Sequence, residues 1–90
     1  MIRAVMFVRG QVQGVGFRWW TRAQATRLGV EGTVRNAADG SVEVQARGPE
    51  PVLAELERLL QEGPPHARVH AVERITPSLA SGAAGFEVAR

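Results

Sequence analysis

Twice along this chain a two-residue period gives way to a helical period and then returns. Residues 2–9, IRAVMFVR, alternate so that Ala4, Met6 and Val8 share one face while Arg3, Val5, Phe7 and Arg9 share the other. Residues 18–28, RWWTRAQATRL, read as a helix closed by Gly29 in a left-handed cap. Ala25 and Leu28 are expected on its core side, and Phe17 and Thr21 lead into that face. The period of two resumes at 30–36, VEGTVRN, turns at Ala37–Gly40 through an Asp39-Gly40 pair, and runs again over 41–47. There Val42, Val44 and Ala46 should point in and Glu43, Gln45 and Arg47 out. Pro49 and Pro51 open a second helix through Gln61, with Val52, Leu56 and Leu59 forming its apolar stripe. Gly63-Pro64-Pro65 stops it. A strand is predicted at 67–75, a Ser/Gly/Ala loop at 76–84, and a short last strand at Gly85–Ala89.

The order strand, helix, strand, strand, helix, strand specifies an α+β fold of the ferredoxin-like, split βαβ kind (βαββαβ). An antiparallel sheet should carry both helices on one face, with the short C-terminal strand added. The opposite face stays open, which lets Arg3 and Arg9 sit on a strand. Ninety residues without repeat or linker fit a single domain, 1–90. The first and second strands must run the same way, because a helix returns the chain between them. Their C-terminal ends, followed by residues 10–18 and carrying Asn36 respectively, therefore meet at one edge of the sheet.

At that edge residues 10–18 read GQVQGVGFR. Glycines bare the backbone, so that N–H groups can converge, and a following helix start adds partial positive charge. Arg18 would contribute a planar fork of donors suited to phosphate oxygens. The stretch is neither of two familiar phosphate loops. A Walker A loop needs Gly-Lys-Ser/Thr, and all eleven basic residues here are arginine. A dinucleotide fingerprint needs a third glycine where Trp19 stands. On spacing alone, a Gly-rich turn beside a solvated arginine explains the stretch as well as an anion site does.

Composition narrows the partners. Without cysteine there is neither a disulfide framework nor a thiolate metal site. His66 and His70 fall on a predicted strand, where four residues put them about 13 Å apart, so a metal pair is not expected. The net charge of +2 supports only a weak general attraction for anions. The first apolar run, Ala4–Val8, is too short for a signal core or a membrane span, so a cytoplasmic protein without membrane association is expected. Nucleic acid is not an expected partner either. The third strand shows no aromatic ring for base stacking, and Trp19-Trp20 fits one packed and one half-exposed ring.

GQVQGVGFR resembles the acylphosphatase signature. The resemblance continues through Leu28-Gly29-Val30-Glu31-Gly32-Thr33-Val34-Arg35-Asn36 and Asp39-Gly40-Ser41-Val42-Glu43-Val44, and at Gly48-Pro49 and Gly63-Pro64-Pro65. It runs essentially end to end. Gln11 stands where the family often has a basic residue, and Thr33 where it commonly has tryptophan; neither is a reacting group. The resemblance implies hydrolysis of acyl phosphates to a carboxylate and inorganic phosphate, with no metal or cofactor; a monomer is expected. It implies that Arg18 and the loop Gln13, Gly14, Val15, Gly16, Phe17 and Arg18 bind the phosphoryl group. Asn36 is implied to position the attacking water. Inorganic phosphate or sulfate should compete. The alternative is a non-catalytic module of the same fold that binds phosphate, other anions or RNA.

Overall fold

The computed structural model describes residues 2–75 and 86–89; the expected loop at 76–84 and Gly85 lie outside them. The elements are β1 (Ile2–Gln11), α1 (Phe17–Leu28), β2 (Glu31–Asn36), β3 (Val42–Gly48), α2 (Glu50–Glu62), β4 (Arg68–Ile75) and β5 (Phe86–Ala89). They form one sheet in the order β4-β1-β3-β2-β5. The first four strands pair antiparallel throughout, and β5 joins the β2 edge in parallel. α1 lies over β2 and β5, and α2 over β1, β3 and β4. This is the ferredoxin-like α+β sandwich with its added strand.

Most boundaries fall within a residue or two of the sequence reading, and the shifts have local causes. β1 runs on to Gln11 through a bulge between Arg9 and Gly10. There Gly10 has φ 136°, and a Cβ would lie 2.1 Å from the Arg68 carbonyl oxygen, so only glycine lets the two backbones approach. β2 starts after Val30 because the Val30 N–H is taken by the Ala25 carbonyl, closing the α1 cap at Gly29. β3 starts after Ser41, whose carbonyl accepts from the Ala37 N–H to close the β2–β3 turn.

Ala4, Met6 and Val8 of β1, Val34 of β2 and Val42, Val44 and Ala46 of β3 form the floor of the core. Phe17 and Ala25 of α1 and Leu53, Leu56 and Leu60 of α2 pack onto it. Burying a leucine in such a core contributes about 1.5–3 kcal/mol. The buried row of α2 corrects the expected Val52, Leu56 and Leu59 stripe: Leu53, Leu56 and Leu60 are fully buried, and Val52 and Leu59 only partly. Five apolar positions cover more of the helix than one contact line. Pro49 is the single residue between β3 and α2 and caps the helix in an extended conformation.

A second correction concerns Glu43, expected to be exposed. Its side chain is on the open sheet face but is only 8% accessible, because the Arg35 guanidinium lies against it in a two-pronged pair of 3.1 Å bonds. Gln45 donates to the same carboxylate at 2.9 Å. Arg47 pairs with Glu31 and Arg9 with Glu73 across the same face. Arginine beside Glu43 holds its carboxyl below the usual range, against the opposing effect of burial.

Candidate active site

Val42 marks the edge where the site lies. It pairs with Val8 of β1 on one side and with Asn36 of β2 on the other, so the carboxyl ends of β1 and β2 flank the start of β3. The connection after β1 then folds over this edge. Gly14 and Gly16 adopt φ 76° and 79°, the left-handed region that side-chain-bearing residues disfavour. Gly16 is the N-cap of α1 and offers no side chain to cap the helix. Its carbonyl accepts from the Trp20 N–H at 3.0 Å, which starts the helical ladder. The N–H groups of the first turn before Trp20 have no carbonyl within the helix, and no acidic residue occupies that turn. The positive end of the helix is thus left for an anion.

A cleft of about 120 Å³ opens at this point. Gly14, Gly16, Arg18 and Asn36 line it together with Val12, Phe17 and Trp19. Arg18 and Asn36 are both half-buried. Among the described residues, Asn36 Oδ1 is a buried atom without a hydrogen-bond donor. Leaving such an acceptor unmet costs about 1–3 kcal/mol.

Two expected loop residues do not line the cleft. Val15 packs against the core. The Gln13 side chain turns to the β2–β3 turn, where its Nε2 donates to the carbonyls of Ala37 and Ser41, each at 2.9 Å. Asp39 braces the same turn. It accepts from the Ser41 N–H at 3.0 Å and the Ser41 hydroxyl at 2.6 Å, and from Arg9 at 3.0 Å. The Ser41 hydroxyl and amide, then Arg9, pull the Asp39 carboxyl down to about 2. Sequence reasoning found the turn-forming role of Asp39 but neither the Arg9 pairing nor the Gln13 brace, since no local pattern announces a partner so far along the chain. Trp19 and Val12 as cleft residues were missed too; an apolar residue beside a bare-backbone loop was the available signal. Arg35, next to Asn36, pairs with Glu43.

Among the described residues no group of three or more histidine, aspartate or glutamate side chains is placed to hold a metal ion, and His70 lies exposed on β4. Among them, too, no helix is long and apolar enough to cross a membrane.

Fold and cleft together define a small ferredoxin-like α+β protein with a cleft at the carboxyl ends of β1 and β2. The acylphosphatase family profile matches residues 4–88. An acylphosphatase of Rubrobacter xylanophilus is 51% identical over 96% of this chain and 78% of its own length. One of Acidothermus cellulolyticus is 46% identical over 94% of this chain and 81% of its own. Among solved structures, the crystal structure of acylphosphatase from Bacillus subtilis superposes with a TM-score of 0.94 at 31% identity, covering all of both chains. The chain belongs to the acylphosphatase family, and its reaction is the hydrolysis of acyl phosphates. A non-catalytic anion- or RNA-binding module is not favoured.

Proposed function

We propose that Arg18 and the bare amides of the Gly14–Gly16 loop and the α1 N-terminus hold the phosphoryl group, and that Asn36 aligns the water that attacks it. The observation that carries this reading is the convergence of Arg18 and Asn36, from separate segments, on one small cleft. The leaving group is a carboxylate of pKa roughly 4, which departs with the bonding electron pair and needs no general acid. The P–O bond to the acyl oxygen breaks as the bond to the water oxygen forms. Charge spreads over the phosphoryl oxygens in a loose transition state, where fixed donors act most strongly. The water proton passes to a phosphoryl oxygen of the substrate itself, so no separate base is required. The side-chain amide of Asn36 provides the acceptor that orients this water.

No step calls on a metal, and every proposed group comes from one chain, in keeping with a metal-independent monomer. Phosphate release from benzoyl phosphate, followed for the wild type and Arg18→Ala with and without EDTA, tests the reading. Wild-type activity should survive the chelator. Arg18→Ala should lose activity together with competitive inhibition by inorganic phosphate or sulfate, and Arg18→Lys should recover little, because a point charge lacks the two-pronged fork. Unchanged phosphate inhibition in Arg18→Ala would overturn the assignment.

A further inference from the structure

The lining of the cleft includes apolar side chains that phosphate does not need. Val12 and Phe17 in that lining are each 1% exposed, whereas Trp19 is 63% exposed. Burying a tryptophan is among the largest single hydrophobic gains available to a small domain, so an indole left in water calls for a reason. The neighbouring Trp20 follows the ordinary course: it is half-buried and packs on Phe17 with ring centroids 5.4 Å apart. Among the described residues the other exposed large apolar side chains are Ile2 and Ile75. Those pair with Gly48 and Val5, at the far end of the sheet from the cleft. Trp19 is thus the one of the three that stands at the cleft, one residue after Arg18 in the first turn of α1.

We propose that Trp19 is the acyl-group subsite of this enzyme, and that it favours acyl phosphates whose acyl part is aromatic or otherwise flat and apolar over those with a small acyl group. An acyl phosphate has one charged end and one uncharged end. With the phosphoryl group held among the loop amides and Arg18, the acyl carbon and its substituent extend past the phosphate along the cleft. A planar substituent finds the indole face there and removes apolar surface on both partners from water; an acetyl group presents only a methyl. The inference rests on the phosphate-site reading given above and adds the substrate class to it.

The experiment compares kcat/KM for benzoyl phosphate and acetyl phosphate in the wild type, Trp19→Ala and Trp19→Phe. The benzoyl-to-acetyl ratio should fall about tenfold in Trp19→Ala, the scale of one lost aromatic contact, and should be largely restored in Trp19→Phe. A second measurement uses Trp20→Phe, in which Trp19 is the one remaining indole. Its emission should change on adding benzoylmethylphosphonate, a non-hydrolysable analogue, and much less with acetonylphosphonate. A ratio that stays at the wild-type value in Trp19→Ala, or equal emission changes with the two phosphonates, would overturn the subsite. Loss of phosphate inhibition in Arg18→Ala is read in parallel. If that loss occurs and the ratio does not move, the subsite alone fails; if it does not occur, the underlying phosphate site fails.

Discussion

The side-chain amide of Gln13 is bonded to the carbonyl oxygen of Ser41 at 2.9 Å, joining the loop before α1 to the turn after β2. The same nitrogen reaches the Ala37 carbonyl at 2.9 Å, so Gln13 clasps the residue immediately after Asn36. The loop whose amides are proposed to hold phosphate and the strand end that carries Asn36 are thereby fastened by one side chain. Gln13→Met keeps the shape and removes the donors. Each lost bond is worth about 0.5–1.5 kcal/mol net, and each kilocalorie per mole lowers Tm by about 4–8 °C in a domain of this size. The larger effect is expected on catalysis: kcat should fall by about tenfold or more, since misplacement by an ångström can cost that much. Thermal melts and steady-state kinetics on the purified variant check both.

Asn36 and Arg18 should separate kinetically. Asn36 is neutral and should contribute little to holding a charged substrate, so the role proposed for it lies in the transition state. Asn36→Ala is expected to lower kcat by about 10²–10³ while stabilisation by inorganic phosphate in thermal shift persists. Asn36→Asp should fail as well, because a carboxylate repels the phosphoryl oxygens. An Asn36→Ala enzyme that loses phosphate affinity and keeps kcat would make Asn36 a binding residue instead.

Thr21 offers a test of the fold that leaves the cleft alone. It is fully buried on the core face of α1, and among the described residues its Oγ1 is without a hydrogen-bond partner. Thr21→Val replaces a stranded hydroxyl with a methyl of the same shape. The change should stabilise the protein by about 1 kcal/mol or more, the cost of an unmet buried polar group. Chemical denaturation at fixed pH measures it, as a higher midpoint with an unchanged slope.

The turn around Asp39 should register acid. The folded pKa of about 2 lies below the ordinary value of 3.8, so the carboxylate form is favoured by folding. Its contribution is therefore complete above about pH 4 and is lost as pH falls through about 2. Asp39→Asn imitates the protonated side chain at every pH. The Tm gap between the wild type and Asp39→Asn should be widest above pH 4 and close toward pH 2. A gap that stays constant over this window would contradict the assigned pairing.

Much of this architecture is legible in the residues. The alternation of 2–9 and of 42–46, the cap at Gly29 and the stop at Gly63 each depend on neighbours a few positions away, and the structure places all of them as read. The meeting of Arg18 with Asn36 follows from element order alone, because parallel strands end on the same side. What escaped depends on geometry across the fold. The phase of α2 was ambiguous while five apolar positions competed for one contact line, and docking chose Leu53 and Leu60. Glu43 reads as an exposed charge until the adjacent strand lays Arg35 over it. Gln13 belongs by pattern to the anion loop, and only the folded turn supplies the carbonyls that draw its side chain away.

The double pairing of Val42 has a consequence for how such an enzyme can diverge. Strands in a sheet lie about 4.8 Å apart, so placing one strand between β1 and β2 sets their ends roughly 10 Å from each other. That interval is dictated by backbone hydrogen bonds, whatever side chains the sheet displays. The spacing of the two strand ends is therefore a ruler inherited with the topology. Substitutions on the helix side of the gap can retune which molecules are accepted while the ruler keeps its length.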